Sequence, residues 1–252
     1  MMGRMLFPVL FFLASWATAE PLYVKLAGQS RPDGEALERA RKLLDAHEAV
    51  QTRDNLFVPP FHKRIKPPPT HRKPLCTVCH LDPPHRKNTR SRSFLNMHGR
   101  YIACETCHLR PKGLRLEYRW VDFGGPPEGP ARDKAGGADR IQERPGLRIA
   151  PFHGGEPAIV FADHPFAREL EQAWSGADKE KKIRLHARLH GFLAREGPAC
   201  TECHGRKESF LDLAALGASE RQIRAMQDHV IPRFFARFRK KDEKLRMTDL
   251  LR

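Results

Sequence analysis

"HRKPLCTVCHLDPPHRKNTRSRSFLNMHGRYIACETCH" runs from His71 to His108, and the fold turns on how it is read. It holds two pentapeptides of one form, CTVCH at 76–80 and CETCH at 104–108. A third, CTECH, stands at 200–204, and together they use all six cysteines of the chain. Each pair of thiols encloses two residues and is followed at once by a histidine: His80, His108 and His204. A chain that needed only cross-links has no use for those histidines.

Three chemistries use paired cysteines. Disulfides are the ordinary fate of six cysteines outside the cytoplasm, but they staple scaffolds much smaller than 252 residues. Structural zinc takes Cys-x-x-Cys knuckles, normally two for each tetrahedral ion, so three pairs leave one over unless histidines complete a Cys-Cys-His-His site. Covalent attachment of c-type haem accounts for every feature. The thiols add across two vinyl groups whose separation sets the cysteine spacing, and the next histidine lies under the iron. The motifs therefore predict three haem c groups. Their attachment points are Cys76 and Cys79, Cys104 and Cys107, and Cys200 and Cys203, with His80, His108 and His204 as proximal iron ligands.

The start of the chain fits that reading. Arg4 precedes an apolar run from Leu6 to Trp16 that ends in Ala17-Thr18-Ala19, the form of a signal peptide cleaved after Ala19. The run is too short for the ~20 residues of a bilayer span. Residues 1–19 are thus expected to direct export to the periplasm, where haem is attached. The formal net charge is +15. So basic a chain suits nucleic acid, anionic lipid or an acidic protein, and export removes nucleic acid from that set.

With its three motifs, its export signal and its surplus histidines, the sequence resembles the periplasmic multihaem c-type cytochromes. The resemblance implies electron transfer by iron held between two axial ligands. Ten of the thirteen histidines are not proximal, which favours a second histidine on each iron. His98, His85 and His190 are the expected distal ligands. His98 closes a short apolar turn before Gly99, His85 follows an extended Pro83-Pro84, and His190 lies on a helical face four residues after His186. His62, His71, His153, His164 and His186 are further candidates, while His47 and His229 read as surface or core residues. PAIVFADH, which ends in His164, is similar to the segment carrying a distal histidine in class III cytochromes, although here it follows the second motif.

The expected fold is mainly α with extensive coil and a few short strands, its core organised around covalent haems. An N-terminal region, 20–75, holds an amphipathic helix with Leu37, Ala40, Leu43 and Leu44 on one stripe, then a basic Pro-rich arm. The trihaem domain, 76–252, divides into a two-haem segment (76–108), an irregular segment (109–160) and a third-haem segment (161–252). Strands are expected within LRLEYRWVDF (114–123) and LRIAPF (147–152). Helices are expected from Asp178 to Arg195, and after a capping box of Ser219 and Gln222 until Pro232 interrupts. The basic tail with Phe234, Phe235 and Phe238 suits packing against the core or contact with a membrane surface. An electron carrier, with redox proteins acidic at the contact surface as partners, is the leading expectation. The rival is a haem enzyme acting on a small nitrogen or sulfur compound at one open iron, and a haem sensor comes third.

Overall fold

The computed structural model describes residues 20–46, 72–82, 84–85, 94–124, 146–206, 209–230, 232–233 and 248. The leader, His47, His62, His71, Pro83 and the three phenylalanines of the tail lie outside the described residues. Nine helices and three strands occur among the described residues: α1 (Leu22–Gln29), α2 (Gly34–Asp45), α3 (Cys76–Cys79), α4 (Asn96–His98), α5 (Cys104–His108), β1 (Glu117–Asp122), β2 (Leu147–His153), β3 (Glu156–Pro157), α6 (Pro165–Ser175), α7 (Lys179–His190), α8 (Cys200–His204) and α9 (Glu220–Gln227). All three Cys-x-x-Cys-His motifs form single turns of helix.

Local chemistry places the longer helices. Asp33 caps α2 by accepting from the Ala36 N–H at 2.8 Å, and Asp178 caps α7 by accepting from the Lys181 N–H at 2.7 Å. The two helices pack through Ala40, Ile183 and Ala187, which are buried together with Leu37 and Leu44 alongside. Leu43, expected on the same stripe, is 49% exposed. Helical spacing puts Leu37, Ala40 and Leu44 in one row and turns Leu43 out of it. Arg41 grips Glu180 with two bonds, at 2.6 and 3.0 Å, at the solvent edge of the contact.

α7 ends at His190 and not at Arg195, because the chain turns at Gly191 and pairs Leu193 with Leu109 across an antiparallel bridge. α9 opens on the expected capping box but stops at Gln227, five residues before Pro232, so the proline does not end it. Two helices were not expected at all. α1 buries Leu22, Tyr23, Val24 and Ala27. α6 starts at Pro165, whose fixed φ suits a first helical position, with His164 as its cap.

The two strands expected within 114–123 and 147–152 are present as β1 and β2, and the short β3 was not expected. β1 and β2 pair antiparallel from Glu117↔Phe152 to Asp122↔Leu147, and β2 returns into β3 through Gly154-Gly155. Both glycines have positive φ, 61° and 87°, as a two-residue hairpin turn of this hand requires. Residues 125–145, between the first two strands, lie outside the described residues.

Among the described residues, apolar burial is divided among five clusters of three to eight buried residues each. The clusters surround the motifs. Leu75, just before CTVCH, is buried with Tyr23, Val160 and Leu189. Ala103, just before CETCH, is buried among Val121, Phe123, Ala150 and Phe161. Among the described residues no helix is long and apolar enough to cross a membrane.

Candidate functional site

Each motif is fastened to a different part of the scaffold. Leu75 N–H donates to the Val160 carbonyl at 2.9 Å, which ties CTVCH to the strand-like run before α6. CETCH is locked onto β2: the Ala103 N–H and the Thr106 hydroxyl both donate to the Ile149 carbonyl, at 2.9 and 2.8 Å. CTECH is tied to the loop after it by the Phe210 N–H, which donates to the Glu202 carbonyl at 2.6 Å.

The three motif histidines each face a second histidine. The ring centres of His80 and His190 are 5.9 Å apart, those of His108 and His85 6.5 Å, and those of His204 and His98 6.0 Å. A metal ion held between two imidazoles requires about 6.2 Å, taking nitrogen–metal bonds of about 2.0 Å and about 1.1 Å from nitrogen to ring centre. All three pairs lie within a few tenths of an ångström of that figure. The planes cross at 74° in the first pair, 24° in the second and 81° in the third.

Second contacts orient these rings. Nδ1 of His98 is 2.7 Å from the Phe94 carbonyl oxygen, that of His108 2.8 Å from Ala194, that of His190 2.9 Å from His186, and that of His204 3.0 Å from Met226. Nδ1 of His85 is 3.1 Å from the side-chain oxygen of Asn96. A carbonyl oxygen only accepts, so in each ring Nδ1 carries the proton and Nε2 presents its lone pair. That tautomer is the one a metal ligand needs. Burial also holds His85, His190 and His204 below the ordinary histidine range, which keeps them neutral.

Asn96 does more than accept one bond. Its side-chain oxygen also receives the His85 backbone N–H at 3.0 Å, and its amide donates to the His85 carbonyl at 2.9 Å. Sequence reasoning missed this residue, as it missed Ala194, whose N–H donates to the His108 carbonyl at 2.7 Å. The only sequence signal for Asn96 is a polar residue two positions before a candidate ligand.

Other candidate histidines have different work. His164 accepts from the Phe166 N–H at 3.2 Å and caps α6. His153 ends β2 near the Arg115 carbonyl. His186 stacks on His190 with ring centres 4.1 Å apart, and burial followed by the neighbouring His190 and His80 pushes its pKa down to about 4.

The thiols form no disulfide. Burial raises Cys107 to about 11 and Cys203 to about 12, so these are protonated thiols and not activated thiolates. Among the described residues, the donors that converge closely enough for a small metal ion without the histidine pairs are Cys76, Cys104 and Glu105. A zinc knuckle uses both cysteines of one motif, whereas this group takes the first cysteine from each of two motifs. Glu105 is 2% exposed. One carboxyl oxygen receives the Cys76 thiol at 3.4 Å, and the other has no partner. Burial raises its pKa above the ordinary carboxyl value.

A cleft of about 280 Å³ lies between the ends of the second and third motifs, lined by Arg110, Pro111, Leu114, Leu116, Tyr118 and Phe210. Leu81, Leu95, Met97, Tyr101 and Leu114 are between 40% and 49% exposed, and all but Leu114 lie close in sequence to His80, His85 or His98. Open apolar side chains beside paired imidazoles fit flat apolar groups placed between those pairs. No family model, no curated protein and no solved structure matches this chain.

Proposed function

We propose that the chain is a periplasmic electron-transfer protein that carries three haem c groups, each iron held by two histidines. The observation that carries this reading is the matching of every motif histidine with a second ring: His80 with His190, His108 with His85, His204 with His98, all at the separation an axial pair requires. The haem irons supply the redox chemistry by cycling between ferric and ferrous. Cys76, Cys79, Cys104, Cys107, Cys200 and Cys203 fix the groups covalently. The carbonyls of Phe94, Ala194, His186 and Met226, with Asn96, hold the imidazoles in one orientation, so little rearranges when the charge on an iron changes.

The rival, a haem enzyme, needs an iron with a vacant or displaceable sixth position. A distal ring opposite each motif histidine favours the carrier. The basic charge of +15 supports partners that are acidic at the contact surface. The test is to express the chain in a host that matures c-type cytochromes, then measure its mass under denaturing conditions and its spectrum with carbon monoxide. Three haem additions and a ferrous spectrum indifferent to carbon monoxide are expected. Fewer additions sink the cofactor assignment, and uptake of carbon monoxide by one haem of the unaltered protein favours the enzyme.

A further inference from the structure

The relay proposed above has three sites, and contacts within this chain bear on their order. Two structural links join the second motif to the first. The Sγ atoms of Cys76 and Cys104 and a carboxyl oxygen of Glu105 lie within 4.8 Å of one another, which brings the attachment edges of the first two groups together. The end of α7 serves both sites: His190 faces His80, and Ala194, four residues on, holds His108 through its carbonyl and its N–H.

Further links join the second motif to the third. α4 carries Asn96, which holds His85 of the second pair, and His98 of the third pair. Arg110, two residues beyond His108, forms an ion pair at 2.9 Å with Glu202 inside CTECH and lies over the Phe210 ring. Tyr118, at the start of β1, packs on Phe210 with ring centres 5.1 Å apart. The backbone at Gly197 also runs against Cys107, where an added Cβ would stand 3.3 Å from the cysteine Cβ.

Burial follows the same order. The residues between the cysteines of the second motif, Glu105 and Thr106, are 2% and 1% exposed. Cys79 and His80 of the first motif are exposed, and so is Thr201 of the third. We infer that the second site is the midpoint of the relay, and that donor and acceptor proteins exchange electrons with the first and third sites. Each passage moves one electron: one iron goes from ferrous to ferric as its neighbour goes from ferric to ferrous. A reduced donor protein supplies that electron and an oxidised acceptor protein removes it.

The experiment uses the full haem-loaded chain and three variants, His190→Met, His85→Met and His98→Met. Methionine in place of a distal histidine raises the potential of that iron. Partial reduction then turns it into a diamagnetic ferrous centre and leaves two ferric ones, whose mutual coupling is read by electron paramagnetic resonance. In His85→Met the remaining pair should behave as isolated spins, whereas in the other two variants the remaining pair should stay coupled. A coupled pair in His85→Met, or an isolated pair in either other variant, overturns the order. The unaltered protein gives a second measurement. Its second site has ring planes only 24° apart and is distinct in signal shape from the other two. With a paramagnetic neighbour on each side, that signal should relax fastest, and fastest relaxation of either other signal also overturns the order. Failure of the function itself is separate, since it appears as a mass gain other than three haems.

Discussion

In the proposed protein the three histidine pairs would also be cross-links, and their interlacing would have a measurable consequence. The third pair spans 106 residues, from His98 to His204, and the first spans 110, from His80 to His190. With both pairs formed the loops are much shorter. Only 18 residues separate His80 from His98, and 14 separate His190 from His204, so each pair closes a loop of about 32 residues through the other. In the chain-entropy picture a cross-link closing about 32 residues contributes about 3.7 kcal/mol, and one closing about 100 residues about 4.7 kcal/mol. Either tie, once it stands alone, is therefore worth about 1 kcal/mol more than when both are present.

The perturbation is a double-mutant cycle of His98→Gly and His190→Gly in the ferric haem-loaded protein without added imidazole, where each remaining histidine stays on its iron in the unfolded chain. The loss of each ligand's own bond is the same in the single and double variants and cancels in the cycle, so only the tie contributes to the coupling. Urea unfolding should give a double loss about 1 kcal/mol greater than the sum of the single losses. The two rings belong to different pairs, so direct contact is not the source of the coupling. The same cycle with His85→Gly, whose tie to His108 closes only 23 residues, should be additive within about 0.5 kcal/mol. Additive losses for His98→Gly and His190→Gly would refute the interlaced ligation.

Three more outcomes are expected. The ring planes cross at 74° and 81° in two pairs and at 24° in the other, and the angle between imidazole planes sets the splitting of the iron d orbitals. The ferric protein should therefore show two strongly anisotropic low-spin signals and one rhombic signal, and three signals of one kind would contradict the pairing. Asn96→Ala removes the acceptor behind His85 and should weaken that ligand about 10–100-fold, so that one haem per chain takes up carbon monoxide, while Asn96→Asp keeps the acceptor and should not. Burial raises the Glu105 carboxyl above its ordinary 4.5 in the folded chain. The stability tied to that proton is complete below 4.5 and is lost as pH rises through the folded value. Glu105→Gln should therefore gain stability over the parent as pH rises past 4.5, measured as urea midpoints, and a difference independent of pH would exclude a raised carboxyl.

One ring of each histidine pair was legible, because each motif fixes it, but which candidate faces which motif was not. His98 precedes a glycine turn and His190 ends a helix capped by Asp178, so both stand at chain reversals, whereas His85 carries only the sequence signal of the prolines before it. What supports them was not legible. The acceptors behind His98, His108, His190 and His204 are backbone carbonyls, and a carbonyl leaves no mark on residue identity. α1 has only eight residues, and its role rests on a long-range contact, the Tyr23 hydroxyl donating to the Leu189 carbonyl at 3.2 Å. α6 did carry a signal, His164 before Pro165, but a search for iron ligands read that histidine for its ring and not as a cap.

The division of the chain into a two-haem segment and a third-haem segment follows the motifs but not the ligands. Residues 76–108 contain both rings of one pair only, His85 and His108. The segment gives His98 to CTECH, about a hundred residues away, and takes His190 for CTVCH from the far end of α7. In the proposed protein each motif would therefore depend on a ring next to some other motif, and no cut between 108 and 190 would leave two self-sufficient halves. This interdependence would account for the small size of the five apolar clusters among the described residues. A cluster of three buried residues does not offset the entropy of ordering its segment, but two segments held by one iron at about 6 Å no longer lose that entropy independently. In the proposed protein, cofactor loading and tertiary folding are one equilibrium, as they are for metal sites whose ligands come from distant parts of a chain.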